Sequence, residues 1–573
     1  MTSAPLSSSL SDWKALSLAE QVAQMIMVRA SGHLFDQQIQ YPAWEPTAAV
    51  LQHWVQDLGV GGVILLGGSA AEVGLRSQQL QGWAQVPLLI AADIEEGVGQ
   101  RFAGATWFPP PLALGAIARS SLPQAILYAE QMGKTTAQEA QAIGINWLLA
   151  PVVDVNNNSA NPVINLRAWG ETPEMVSQMA QAFIRGAQGY PVLTAAKHFP
   201  GHGDTAIDSH LELPLLTHDR SRLAQVEFPP FEAAIAQGVD AVMTAHLQVP
   251  SLDARYPATF SAAATQVLRQ QMGFEGLIVT DALIMGAITQ KYGANEAPVL
   301  AIEAGADVLM MPVDLTGAIQ AICAAVETGR IALERIHASL ERIWQAKQKA
   351  GLGVSPEAAA PLHLKLHLEQ VGQSSALVSH ILKDSMQVYH PERSRLDAPA
   401  TKPPHNLILL DDGLNSPFLP RQSPAIALPT ARGYRLKMVD RHTPTMLLSA
   451  EVDDFQPTLL QLFVRSTPFR GTAGLTPIAQ SWLYFLIETE QLQALVLYGS
   501  PYVLEDLKLQ LPSEVPYVFT YGQMPAAQAI ALEALWGRSI GEAPAATVTG
   551  GEPELKGDRT LLDQTFTDQT FTD

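Results

Sequence analysis

The densest group of reactive side chains lies in residues 197–210, which read KHFPGHGDTAIDSH. The turn-forming residues Pro200, Gly201 and Gly203 predict a structured loop here rather than a helix. The ionisable residues of this loop are Lys197, His198, His202, Asp204, Asp208 and His210. A solvated surface loop rarely has this composition, so we expect this loop to bind a ligand or to catalyse a reaction.

Two kinds of chemistry fit these residue types. The histidines and aspartates could ligate a metal ion, but a His-x₃-His pair needs a helix to bring both rings to one face, and Pro200-Gly201 prevents one. Lys197 would also repel a divalent cation. Acid–base catalysis fits better, because Asp208 can accept a hydrogen bond from the His210 ring and so make it a proton donor near neutral pH. We therefore predict no metal site and no cofactor.

Ionisable side chains also stand at the ends of short apolar runs elsewhere in the chain. The residues at such ends are Asp93, Asp154, Lys197, His198, His246 and Asp281. Asp281 could be a nucleophile or an electrostatic stabiliser, although an aspartate in this place also commonly caps a helix. For Asp154 and His246 we expect structural roles in the core or at the rim of the fold.

The apolar runs predict how these side chains are positioned. Each run is roughly five to seven residues long, is apolar almost throughout and precedes a longer amphipathic stretch, as expected of strands buried on both faces. The eight runs cover residues 25–29, 62–66, 87–92, 147–153, 193–198, 241–246, 277–281 and 307–311. Eight strands alternating with helices favour a (β/α)₈ TIM-type barrel over an open doubly wound sheet. The carboxyl ends of barrel strands meet at one rim, where active sites are built.

The remaining sequence predicts a second, smaller unit. A helix over 331–350, with an apolar stripe of Leu333, Ile336, Leu340 and Ile343, closes the predicted barrel domain of residues 1–350. Residues 351–373 are predicted to be a linker and 374–543 a C-terminal α/β sandwich domain. Its strand-like runs cover 407–410, 459–464, 494–498 and 517–521. The polar tail 544–573 is predicted to be disordered.

Composition excludes several classes of protein. The 573 residues carry 35 basic and 55 acidic side chains, a net charge of −20, which argues against nucleic acid or an anionic membrane as the partner. Hydrophobic residues make up 47%, so wholesale disorder is excluded. Cys323 is the only cysteine, which leaves no intramolecular disulfide. Without a secretory pattern or a long apolar run, the chain is expected to be cytoplasmic and to lack a membrane span. The sequence indicates no oligomeric state.

The loop KHFPGHGDTAIDSH resembles the signature loop of glycoside hydrolase family 3, in its β-N-acetylglucosaminidase branch. Four further blocks match in order and spacing: AADIEEGVGQRF at 91–102, LAPVVDVN at 149–156, NPVINLRAWGETPE at 161–174 and VTDALIMGAI at 279–288. The resemblance covers roughly the first 350 residues well and the second unit more loosely. It implies a retaining, exo-acting enzyme that forms a covalent glycosyl intermediate.

The resemblance also implies a role for particular residues. Asp281 is similar to the nucleophile, His210 matches the general acid/base, and Asp208 matches the partner of that histidine. The positions that match sugar-binding residues of the family are Asp93, Arg101, Arg167, Lys197 and His198. The chain departs from the family in two places. Glu96-Gly97-Val98 stands where Gly-Gly-Arg is common, and Ala282 replaces a second acidic residue after the nucleophile.

Several functions remain open at this point. The first is hydrolysis of terminal β-linked GlcNAc, with GlcNAc–anhydro-muramyl fragments of cell-wall recycling among the implied substrates. A phosphorylase is the nearest alternative, because a histidine would not repel an incoming phosphate as a carboxylate would. A β-glucosidase or β-xylosidase is less favoured, since those relatives draw their acid/base from the second domain. A sugar-binding protein without catalysis is the least favoured, because Asp281, Asp208 and His210 are all present.

Overall fold

The computed structural model describes residues 12–209, 211–353, 365–397, 403–413, 416–443, 456–465 and 472–537. Two sheets organise these residues. His210 and the tail 544–573 lie outside the described residues, so the prediction that the tail is disordered stays a prediction. The first sheet belongs to the part of the chain that was predicted to be a barrel, and the second belongs to the smaller unit.

The first sheet is a closed barrel of eight parallel strands. The strands are β1 (Ile26–Ser31), β2 (Gly62–Leu66), β3 (Leu89–Ala92), β4 (Trp147–Leu148), β5 (Leu193–Phe199), β6 (Ala241–Thr244), β7 (Leu277–Thr280) and β8 (Leu309–Met310). Each strand pairs with its neighbour in the chain, and β8 pairs with β1. The ring closes between β7 and β8, where the Thr280 amide donates to the Val308 carbonyl at 3.1 Å. The barrel prediction is therefore confirmed over the open doubly wound sheet.

The barrel domain has helices before its first strand, between its strands and after its last strand. They are α1 (Leu18–Ala23), α2 (Ala48–Gln56), α3 (Ala70–Trp83), α4 (Pro111–Ala142), α5 (Pro173–Ala187), α6 (Arg220–Arg222), α7 (Phe228–Ala236), α8 (Ala262–Gln266), α9 (Gly286–Thr289), α10 (Glu296–Ala304), α11 (Leu315–Glu327) and α12 (Leu333–Lys349). Local sequence fixes several of their starts. Ser17 and Ser69 each form a capping box with a glutamate three residues later, which satisfies free backbone amides of the first turn.

Several predicted runs are longer than the strands that they form, and one residue of the predicted apolar stripe is not buried. The run 147–153 forms regular strand pairing only at Trp147 and Leu148, because Pro151 has no N–H group for the ladder. On α12, Ile336, Leu340 and Ile343 are buried as predicted, but Leu333 is 41% exposed because it lies at the first position of the helix.

The second sheet has six strands in the order β11-β10-β12-β13-β14-β9. The strands are β9 (Gln387–Tyr389), β10 (His405–Leu409), β11 (Arg435–Val439), β12 (Thr458–Val464), β13 (Leu492–Gly499) and β14 (Tyr517–Thr520). All pairs are parallel except β14 with β9 at one edge. The helices of this unit are α13 (Ser375–Ser385), α14 (Pro424–Ala431), α15 (Pro477–Glu488), α16 (Pro501–Lys508) and α17 (Pro525–Leu535).

Helices bury both faces of this second sheet. Leu460 of β12 lies in the same apolar cluster as Leu483 of α15. Leu459, the residue before it in the strand, lies in a different cluster with Leu532 of α17. Alternate side chains of a strand point to opposite faces, so this arrangement is an α/β sandwich, as predicted. We propose residues 351–373, part of which lies outside the described residues, as the linker between the two domains.

Polar contacts join the two domains. The Tyr128 hydroxyl of α4 donates to Asp384 of α13 at 2.8 Å, and the Tyr502 hydroxyl of α16 donates to Glu171 at 2.7 Å. None of the helices in the described part of the chain combines the length and the apolar character needed to cross a membrane.

Candidate active site

A pocket of about 320 Å³ opens at the carboxyl end of the barrel strands. Its volume is at the lower end of the range typical of small-molecule sites. Six of the predicted site residues line it together: Asp93, Arg101, Arg167, Lys197, His198 and Asp281. Pro417, Phe418, Arg465 and Gln523 of the second domain complete the wall. The barrel rim therefore collects side chains that are up to 188 positions apart in the sequence, from Asp93 to Asp281.

A buried lysine forms part of the pocket wall. Lys197 is 1% exposed, and its ammonium group contacts Asp93 at 2.8 Å and Glu95 at 2.7 Å. Burial lowers the pKa of Lys197, but the two carboxylates outweigh it, and the pKa lies above its usual value. Burial likewise raises the pKa of Asp93, whereas Lys197 and Arg101 bring it below its usual value. Both groups are therefore charged at neutral pH, and Asp93, with 35% of its side chain exposed, can accept hydrogen bonds from a ligand.

Glu95 joins this lysine to an arginine. Its carboxylate accepts hydrogen bonds from Arg167 Nε and Nη2, both at 2.8 Å. Burial raises the pKa of Glu95, but Arg167 and Lys197 outweigh it and hold that pKa well below its usual range. A bidentate pair of this kind fixes the plane of the guanidinium, so Arg167 is oriented before any ligand arrives.

Asp154 anchors the segment that follows β5. One of its oxygens, Oδ1, accepts from the backbone amides of His198 at 3.1 Å and His202 at 2.7 Å. The other, Oδ2, lies 2.7 Å from Nδ1 of His198, whose Nε2 lies 3.3 Å from Nη2 of Arg167. Asp154 is 0% exposed and does not line the pocket, so it orients His198 from behind.

The loop after β5 has a buried polar interior. Asn161 donates to the carbonyls of His202 at 2.8 Å and Gly203 at 2.9 Å. The His202 ring contacts Thr205 Oγ1 at 2.8 Å and Ser209 Oγ at 2.9 Å. Burial lowers the pKa of His202 to about 4, so this ring is neutral at physiological pH. His202 therefore holds the loop in shape and is not placed as a proton donor.

The loop ends at the predicted acid/base pair. Ser209 lines the pocket, and Asp208 is 3% exposed beside it. The carbonyl of Asp208 accepts from the amides of Leu211 and Glu212, both at 3.0 Å, which turns the chain at this point. His210, between them, lies outside the described residues, so its role as the acid/base stays a prediction.

Asp281 follows β7 and faces the same pocket. Its amide donates to the Thr244 carbonyl at 3.0 Å, and its Oδ1 accepts from the Ala282 amide at 2.8 Å. His246, which is 0% exposed, contacts the Ala282 carbonyl at 3.0 Å and Thr259 Oγ1 at 2.8 Å. His246 thus supports the turn that carries Asp281, in line with the structural role expected for it.

One carboxylate connects the pocket to the second domain. Glu96 is 0% exposed and accepts from Nη1 and Nη2 of Arg465, with the Nη1 contact at 3.0 Å, and from Trp107 Nε1 at 3.0 Å. Burial lowers the pKa of Arg465, but Glu96 outweighs it, and the guanidinium stays charged.

Sequence reasoning gave no role to Glu95, Glu96 or Arg465. A signal for Glu95 was present, because a lysine at the end of an apolar strand must find carboxylates when it is buried. Within the described residues, no group of three or more histidine, cysteine, aspartate or glutamate side chains is arranged to hold a metal ion.

Both domains of the chain match known protein domains. Residues 17–346 match the N-terminal domain of glycosyl hydrolase family 3, and residues 398–537 match the bacterial C-terminal domain of the same family. Beta-hexosaminidase A of Pseudoalteromonas piscicida is 34% identical over 358 residues, which are 56% of this chain and 59% of that protein. Beta-hexosaminidase of Thiobacillus denitrificans is 35% identical over 257 residues, 44% of this chain and 71% of that protein. The match thus spans less than two thirds of the first of these relatives.

Solved structures resemble most of the chain. A family 3 beta-N-acetylglucosaminidase from Paenibacillus has a TM-score of 0.73 and 29% identity, covering 92% of this chain and 98% of that one. A beta-glucoside phosphorylase has a TM-score of 0.74 and 24% identity, covering 92% of this chain and 93% of that one. At that identity the second likeness concerns the fold alone.

Proposed function

The chain belongs to glycoside hydrolase family 3, and from this premise we propose that it is a retaining, exo-acting β-N-acetylglucosaminidase that hydrolyses terminal β-linked GlcNAc. The observation that carries the proposal is the pocket itself. It combines the carboxylate of Asp281, the charged pair of Lys197 and Asp93, and the end of the loop that leads into His210. The names of the hexosaminidase relatives support the choice of sugar.

The proposed reaction has two steps. In the first, an oxygen of the Asp281 carboxylate bonds to the anomeric carbon while the glycosidic bond breaks, and His210 gives its proton to the leaving oxygen. In the second, His210 takes a proton from water, the water oxygen bonds to the anomeric carbon, and Asp281 is released. Two inversions at the same carbon give retention of configuration.

The remaining pocket residues bind the sugar in this proposal. Asp93 is ionised and accepts from hydroxyl groups, whereas Lys197, Arg101 and Arg167 donate to them. His198 is oriented by Asp154 and lies among the same groups. Because Glu95 and Asp93 together balance the charges of Lys197 and Arg167, the pocket can bind an uncharged sugar without an excess of positive charge.

The natural substrate and the place of action belong to the same proposal. We propose peptidoglycan-derived muropeptides that end in GlcNAc, acted on in the cytoplasm. Once activity on an aryl substrate is established, release of GlcNAc from muropeptides tests this substrate.

The test compares kcat/KM on an aryl β-N-acetylglucosaminide with kcat/KM on the matching β-glucoside. A ratio far above one supports the proposed sugar, and a ratio near or below one moves the substrate to plain glucosides. Repeating the assay in phosphate buffer distinguishes the two reactions, because hydrolysis releases free GlcNAc and phosphorolysis releases a sugar phosphate. Asp281→Asn should nearly abolish turnover, while Asp57→Asn, on an exposed helix end, serves as the control. Full activity in Asp281→Asn would rule out the nucleophile assignment.

A further inference from the structure

Glu96 is a residue at which this chain differs from its family, and its carboxylate binds Arg465 of the second domain. Glycine is common in its place, and Arg465 and Trp107 are its partners across the pocket wall. Glu96 itself is fully buried and does not line the pocket. The carboxylate therefore lies behind the guanidinium that it binds.

Arg465 brings a charge from the second domain into the sugar pocket. It follows β12 directly, its side chain is 17% exposed, and it lines the same cavity as Asp93 and Asp281. A guanidinium has five N–H donors, and the bidentate contact with Glu96 uses one on each terminal nitrogen. Among the described residues, no other hydrogen bond uses the remaining donors, which are therefore available to acceptors in the cavity.

We propose that Arg465 is a substrate-binding residue supplied by the second domain, which donates hydrogen bonds to hydroxyl or acetamido oxygens of the sugar, and that Glu96 is the positioning residue that holds it. This inference rests on the proposed function, since it concerns the sugar that the pocket takes. It gives the second domain a direct part in ligand recognition.

The two domains also contact each other away from the pocket. Tyr128 and Asp384 join the domains by a hydrogen bond of 2.8 Å, and neither residue lines the pocket. Tyr128→Phe removes that contact and leaves the pocket intact, so it is a matched control for a loss of docking.

The experiment measures KM and kcat for the aryl glycoside that the wild-type protein uses best, and the dissociation constant of the corresponding free sugar by calorimetry. Arg465→Gln should raise the dissociation constant about 10- to 100-fold, because a hydrogen bond to a charged group is lost. Arg465→Lys should recover part of this loss, because it keeps the charge but not the planar fork. Glu96→Gln should weaken binding less, since one oxygen can still accept from Arg465. Tyr128→Phe should stay within about twofold of the wild type.

The outcomes separate the inference from the proposed function. If the preferred substrate is a glucoside and Arg465→Gln still weakens binding, the proposed sugar is wrong and the inference stands. If Arg465→Gln and Arg465→Lys lower the melting temperature but leave KM and the dissociation constant unchanged, Arg465 is only structural and the inference is overturned. A wild-type protein that neither cleaves nor binds any of these sugars overturns both.

Discussion

The carboxylate of Asp154, which is 0% exposed, lies 2.7 Å from the ring of His198 in the pocket wall. The same carboxylate also binds the backbone amides of His198 and His202. One buried side chain therefore sets the orientation of a pocket residue and the start of the loop that leads to His210. Asp154 acts through these contacts and does not touch the pocket itself.

Asp154→Asn should lower kcat/KM on the aryl glycoside about 10- to 100-fold. The oxygen of the asparagine side chain can still accept from the two backbone amides, but its NH₂ group then faces Nδ1 of His198. The proton of the imidazole ring must therefore lie on Nε2, where it faces the N–H groups of Arg167. A buried donor left without an acceptor costs about 1–3 kcal/mol. Asp204→Asn, which weakens a partly exposed contact with His218 in the same loop, should change kcat/KM by less than about threefold. Equal effects of the two variants would contradict the anchoring role of Asp154.

Glu95→Gln should lower the free energy of unfolding by about 3–5 kcal/mol, because it leaves the buried cations Lys197 and Arg167 short of a counter-charge. The lowered pKa of Glu95 makes this stabilisation present at neutral pH and lost as the pH falls below the usual glutamate range. The difference in urea midpoint between wild type and variant should therefore shrink in acid. Glu303→Gln, which loses an exposed contact with Arg330, should cost less than about 1 kcal/mol.

Gly203→Ala should disrupt the loop after β5. A Cβ atom at Gly203 would lie 1.8 Å from the backbone carbonyl oxygen of Val155, which cannot move aside as a flexible side chain can. We expect a lower melting temperature and a loss of at least about tenfold in kcat/KM, since Asp208 and His210 follow in this loop. Gly82→Ala on α3 meets no atom within 4 Å and should leave stability unchanged or slightly raised. Wild-type kinetics in Gly203→Ala would show that the loop does not need this close approach.

Lys347→Met should change how stability depends on pH. Lys347 is fully buried on α12, where its ammonium group donates to Gln24 Oε1 at 2.7 Å, and burial lowers its pKa to about 7. Between about pH 7 and the usual lysine pKa near 10.5, the unfolded chain binds more protons than the folded one, so the stability of the wild type rises with pH. Relative to Lys347→Met, the wild type should gain up to about 1.4 kcal/mol per pH unit in this window. Melting temperatures of both proteins at pH 7 and 9 test this, and parallel changes would contradict it.

The barrel could be predicted because its strands are buried on both faces. The run 62–66 coincides with β2, and the run 193–198 differs from β5 by one residue. Two strands of the second domain were missed, β9 and β11, which lie at the edges of its sheet and keep exposed residues such as Arg435 and Val388. An edge strand pairs on one side only and does not need a continuous apolar run.

The site could be predicted where its residues follow a strand, because the barrel itself brings strand ends together. Asp93, Lys197 and Asp281 reach the pocket in this way. The pairing of Glu96 with Arg465 could not be predicted, since 369 positions separate the two residues and neither has a local pattern that indicates the other. Such contacts depend on how the domains pack and not on a repeat within either one.

The wall formed by the second domain has a consequence for synthesis of the protein. The last barrel strand ends at Met310, and Arg465 leaves the ribosome about 150 residues later. At about 5–20 residues per second, this interval lasts roughly 8 to 30 s. During that time the pocket of a nascent barrel is incomplete, because Arg465, which binds the Glu96 carboxylate, has not yet been synthesised. The reacting residues are thus made early, and the wall that encloses their ligand is made last.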